Sequence, residues 1–144
     1  MAAAAETAIR AWVNARHSLT GPGKPLTRGA YLQGRQPRSP ADGAYALLYS
    51  MPGARGDVVA EDSNPSVSRI SAMVYAGTIE AAEAAAVALA EAWNDLNGRP
   101  EPCGATGVWV LVSDNLSNPA YIAMPGSGGE QHCFQVSADF MLRT

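Results

Sequence analysis

Arg69-Ile70-Ser71-Ala72-Met73-Val74-Tyr75-Ala76-Gly77-Thr78, followed by the alanine-rich stretch from Ile79 to Asn97, is where the sequence changes period from two to about three and a half. Ile70, Ala72, Val74 and Ala76 alternate with Ser71, Met73 and Tyr75, which predicts a strand with two unlike faces ending at Gly77. Thr78 is an N-cap residue type. Glu80 and Glu83 suit the positive end of a helix, and Gly98 suits the position beyond its last turn. Ile79, Ala82, Ala86, Leu89, Trp93 and Leu96 fall on one stripe of that helix, while Glu80, Glu83, Glu91 and Asp95 supply a wetter side. Eight alanines between Ala81 and Ala92 let a neighbour approach the backbone closely, and that neighbour is either the chain's own sheet or a second subunit.

Working outward, Val108, Val110 and Val112 alternate with Trp109, Leu111 and Ser113, predicting a third strand that is apolar on both faces and central in the sheet. Tyr121 to Met124 begins a fourth, Pro125 to Gly129 turns the chain, and Gln131 to Arg143 forms the last and longest. There Phe134, Val136, Ala138, Phe140 and Leu142 face one way. On the N-terminal side, Tyr45, Leu47, Tyr49 and Met51 read as a strand stopped by Pro52-Gly53, and Val58-Val59 as a short edge strand before the Glu61 to Pro65 turn. Residues 5–19 read as a helix with Ala5, Ile9, Trp12, Val13 and Arg16 on one stripe, and Arg10 and Asn14 directed elsewhere. Between them, residues 20–43 carry repeated Gly and Pro and read as a basic arm or loop, with Tyr31-Leu32 as its only apolar anchor. The expected fold is one α+β domain over 1–144. It has an N-terminal helix and a mostly antiparallel sheet of about four or five strands, with one long alanine-rich helix on one face.

At 144 residues, 47% hydrophobic and 16% charged, the chain has an ordinary globular composition. Its formal charge of −3 gives no global reason to expect nucleic-acid binding. The charge is uneven, however: residues 1–55 hold seven basic and two acidic groups, and residues 56–144 three basic and eleven acidic. Unlike flanks of this kind suit a subunit meeting a copy of itself head to flank. Cys103 and Cys133 are too few for a disulfide framework, so a reduced, intracellular setting is expected. No secretory leader is read in residues 1–19, and no apolar run reaches the length of a membrane span.

The chemical motifs are weak. Ser50 lies in Tyr-Ser-Met-Pro, with no nucleophile elbow. His132 and Cys133 are adjacent in a strand and therefore point to opposite faces. His17 has no second ligand at helical spacing. Gly126-Ser127-Gly128-Gly129 leads into a strand rather than a helix, and Gly21-Pro22-Gly23-Lys24-Pro25 lacks both the strand and the Ser/Thr of a phosphate loop. No catalytic residue, metal ligand or cofactor is expected. The arm's Lys24, Arg28, Arg35 and Arg38, with Tyr31, are candidate assembly or lumen contacts, able to touch DNA phosphates without reading sequence. Ile79, Leu89, Trp93, Leu96, Phe134 and Phe140 are candidates for the core or for subunit packing.

The strand Arg69 to Ala76 passing through Gly77-Thr78 into the Glu80 to Leu96 helix, then Gly107-Val108-Trp109-Val110-Leu111-Val112 and the terminal Cys133 to Phe140 strand, resembles the tail terminator proteins of long-tailed bacteriophages. The likeness covers residues 5–19 and 45–144 and is one of pattern, shared with neck and head-tail completion proteins; the arm fits it least. It implies a non-enzymatic virion subunit, assembled in the host cytoplasm, that forms a hexameric ring on the head-proximal end of the tail tube. The ring stops tube polymerisation and presents a surface for head joining. Its partners would be copies of itself, the tail tube protein and a neck or head-completion protein. The alternatives are a neck or connector completion protein and, from another class, a small ligand-binding or enzymatic α+β domain.

Overall fold

The computed structural model describes residues 5–32, 43–50, 66–96, 100–122 and 131–143. In chain order the elements are α1 (Ala5–Asn14), β1 (Ala30–Leu32), β2 (Tyr45–Ser50), β3 (Ser66–Ala76), α2 (Ile79–Asn94), β4 (Glu101–Pro102), β5 (Trp109–Asp114), β6 (Ala120–Ile122) and β7 (His132–Arg143). They build an α+β fold around one curled sheet of seven strands in the order β1-β2-β3-β7-β5-β4, with β6 also paired to β7. All described pairs are antiparallel except β1 with β2. The expected four or five strands thus become seven, because β1 and β4 span only three and two residues and are too short to show an alternation.

The two longest strands form the centre. β3 and β7 pair from Ser66 opposite Leu142 to Ala76 opposite His132, so Ile70, Ala72 and Val74 share a face with Ala138, Val136 and Phe134. All six are buried there under the helices. Thr78 caps α2: its backbone is extended and its hydroxyl accepts from the Ala81 N–H at 3.1 Å, satisfying one of the orphan donors of the first turn. Ala82, Ala85, Ala86, Leu89, Ala90 and Trp93 lie against the sheet. The alanine-rich helix therefore packs on its own sheet, its small side chains letting it sit close. Trp93 meets Phe140 edge to face, with ring centroids 5.0 Å apart.

α1 closes the sheet on itself. Asn14 grips β1, its Nδ2 donating to the Ala30 carbonyl at 3.0 Å and its Oδ1 accepting from the Ala30 N–H at 2.8 Å. At the opposite edge, Glu101 in β4 accepts from Trp12 Nε1 at 2.9 Å and from Arg16 at 3.1 Å, and the Arg16 guanidinium lies 4.6 Å from the Trp12 ring centroid. Residues at the end of one helix thus reach both β1 and β4, the two ends of the strand order. Gly29 is required beside this helix: its φ is +78°, and a Cβ there would come within 2.6 Å of Asn14 Oδ1.

Three further expectations are corrected. Residues 20–32, expected as part of an arm or loop, are a packed loop leading into β1 rather than an arm, with Leu26 fully buried and Ala30 nearly so; the glycines and prolines shape turns that return the chain to β1. Helix α1 ends at Asn14 rather than near residue 19, and the chain continues in turns. Strand β5 is second from the edge rather than central, and its alternation breaks at a bulge between Val110 and Val112. Because Leu111 is the extra residue, Val112 turns outward with Trp109 while Ser113 turns inward and donates to the Trp93 carbonyl. The Val58-Val59 strand, Ala123-Met124 of the expected fourth strand and the Pro125 to Gly129 turn lie outside the described residues.

Candidate assembly surfaces

Five of the six residues marked for core or subunit packing are core: Leu89, Trp93, Leu96, Phe134 and Phe140 are all buried. Ile79 stands outside the core, 41% exposed, which leaves subunit packing as its expected role. As the first residue of α2 it has no preceding turn to lie over, so its side chain projects past the helix end instead of onto the sheet. Of the basic set, Lys24 is exposed, Arg28 is partly buried and has an interaction partner, and Arg35 and Arg38 lie outside the described residues. Tyr31 lies in β1 with its ring edge-on to Tyr45 at 6.1 Å, and Tyr45 stacks on Tyr75 at 5.2 Å. Tyr31 is thus one member of an aromatic row across β1, β2 and β3.

The face of the sheet away from the helices carries an ordered polar stripe. Gln135 Nε2 donates to the Tyr49 hydroxyl at 3.1 Å and to Ser71 Oγ at 3.0 Å, and Gln131 donates to the Tyr45 hydroxyl at 3.0 Å. Further along, Arg69 pairs with Asp139 at 3.0 Å and donates to Ser137 Oγ at 3.0 Å, while Asn115 Nδ2 donates to the other Asp139 oxygen at 2.8 Å. Asn115 sits at φ +50° in the kink between β5 and β6, where Ser117 exchanges hydrogen bonds with the Ser137 backbone. These contacts satisfy one another and make the stripe a brace for the kink between β5 and β6.

Past this brace the same face becomes apolar. Val67 and Val112 both lie opposite Met141, and Trp109 lies opposite Arg143, so adjacent strands bring Val67, Val112 and Trp109 into one exposed patch. On the outward side of α2, Ile79 and Val87 are exposed among Glu80, Glu83 and Glu91, along a shallow groove of about 560 Å³. Sequence reasoning missed the sheet patch because strict alternation divided Val112 from Trp109; only the bulge puts them on one side.

Burial pushes the Cys103 thiol up to about 12 and the Cys133 thiol up to about 11, so both stay protonated at neutral pH. Cys133 lies beneath the open face, whereas His132 Nδ1 meets the Tyr121 hydroxyl at 3.2 Å on the helix side. Among the described residues no three His, Cys, Asp or Glu side chains gather as a metal site, and no helix is long and apolar enough to cross a membrane. The chain matches no protein-family model, and no curated protein or solved structure is significantly similar to it.

Proposed function

We propose that this chain is a structural subunit of a long-tailed bacteriophage, a tail terminator that forms a ring, expected to be hexameric, on the head-proximal end of the tail tube. It stops tube growth by matching the tube on one rim and failing to repeat the mating surface on the other, and the second rim receives the head or neck. The observation that carries the reading is the order of elements: β3 leads through Thr78 directly into α2, and the long terminal strand β7 lies beside β3, the order on which the resemblance rests. Exposed apolar groups on both outer faces support a working part made of surface shape rather than a reacting group. In this role the protein needs no cofactor and acts in the virion. Lys24 and the other cations of residues 20–43 would face partner subunits or the DNA in the lumen.

The test is negative-stain imaging of the purified protein alone and mixed with tail tubes, together with a phage lacking the gene. Rings capping one tube end, and tails of uncontrolled length without the gene, are the expected results. Normal-length, head-joined tails from the deletion phage would refute the reading. Co-purification with portal or adaptor rather than tube protein would move the chain to the neck.

A further inference from the structure

We infer that the two exposed apolar patches are the two halves of one contact: the outer face of α2 of one copy docks on the Val67–Trp109–Val112 patch of the next. The inference rests on the ring reading for its purpose, while its geometry is independent of it. Ile79 and Val87 are 41% and 39% exposed, and Val67, Trp109 and Val112 are 44%, 43% and 39% exposed; these make up five of the six large apolar side chains so exposed among the described residues. α2 packs its other side on the helix-facing surface of the sheet, so its outer face and the sheet patch look in opposite directions. No single copy can cover one with the other, but a second copy can.

Charge separates helix-on-sheet from helix-on-helix pairing. Glu80, Glu83 and Glu91 flank the helix groove, and none makes an ion pair with a described residue. On the sheet patch, Asp139 is engaged by Arg69 and Asn115, and Asp114 accepts from the Asn115 N–H at 2.8 Å. Asp114 has no cation partner among the described residues and keeps its charge beside Val67 and Val112, while Arg143, exposed and directly opposite Trp109, is the cation left unpaired there. Helix against helix would set the glutamates of one copy on those of another. Helix against sheet instead brings them to Arg143 and lays Ile79 and Val87 on Trp109 and Val112. Tryptophan and arginine are also residue types enriched at the centres of protein interfaces. Such a contact is heterologous, using different surfaces on the two copies, and it closes into a ring when the rotation per subunit fits.

Two variants test this by complementation. Ile79→Glu with Val87→Glu disables the helix half, and Trp109→Glu disables the sheet half; all three positions are exposed, and circular dichroism checks that each variant folds. If Trp109→Glu does not fold, Val112→Glu replaces it. By analytical ultracentrifugation, wild-type protein should assemble beyond a dimer, and each variant alone should be monomeric. An equimolar mixture should form dimers and stop there, since it contains one intact helix half and one intact sheet half. The proposal is overturned if concentrated wild-type protein stays monomeric, if either folded variant assembles like wild type, or if the folded variants do not associate when mixed. Sedimentation with tail tubes separates the two readings: variants that assemble and cap tubes normally sink this contact but not the terminator, whereas the dimer pattern together with wild-type assemblies that bind no tube sinks the terminator but not this contact.

Discussion

Replacing Trp93 with alanine removes the largest side chain from the junction of α2 and β7, where it is fully buried and packed edge to face on Phe140. A tryptophan buries at most about 250 Å², and at about 25 cal/mol per Å² its transfer from water is worth roughly 4–6 kcal/mol. The indole N–H has no hydrogen-bond partner among the described residues. Burying it offsets about 1–3 kcal/mol of that gain, while the cavity left behind adds to the loss. The expected destabilisation is therefore about 3–5 kcal/mol, a large share of the roughly 5–15 kcal/mol that holds a typical domain together. Urea unfolding followed by far-UV circular dichroism, at a fixed concentration dilute enough to keep the protein monomeric, measures it, with Ile79→Ala on the exposed end of the same helix as a control expected within about 0.5 kcal/mol of wild type. If Trp93→Ala instead keeps its unfolding midpoint and loses only self-association, Trp93 is an intersubunit anchor and the packing argument fails.

Gly29→Ala should destabilise by at least about 1 kcal/mol, because it forces a side chain into a left-handed backbone and against Asn14; Asn14→Ala should speed amide exchange in β1, and unchanged exchange at Ala30 would argue against the grip. Glu101→Ala should cost about 1–2 kcal/mol by leaving the buried Trp12 N–H without its acceptor, while Glu101→Gln, which keeps an acceptor oxygen, should cost less in the same unfolding assay. Burial raises Cys103 to about 12 and Cys133 to about 11 from an ordinary 9.0. The folded protein therefore holds these protons to higher pH than the unfolded chain. The resulting stability is fully present below pH 9.0 and falls away as pH rises through 11 to 12. Ellman's reagent at pH 8 should find both thiols only after unfolding, and rapid labelling of native protein would contradict their burial.

The sequence by itself determined the elements whose signals are local. β3, the Thr78 cap, α2 and the β7 alternation are each decided by residues within one or two turns of one another, and the inward positions Ile70, Leu89, Trp93 and Phe140 follow from an unbroken period. The same periods were silent where structure depends on distant partners. β1 emerges from a Gly/Pro stretch because Asn14 supplies the hydrogen bonds that a neighbouring strand would, and Leu26 is core because the turns around it bring it back to the sheet. Ile79 fits the buried stripe by angle and is exposed because the helix begins there. The bulge at Leu111 reverses the facing of Val112, so the apolar patch with Trp109 and Val67 has no trace in the spacing. Tertiary structure alone decided that α1 ties Glu101 at one edge to Ala30 at the other, and that the two exposed apolar patches look opposite ways. The physical reason is that period and capping are set by neighbours a few residues apart, whereas exposure is set by side-chain contacts between residues as far as 89 positions apart and by strand pairings that break register locally.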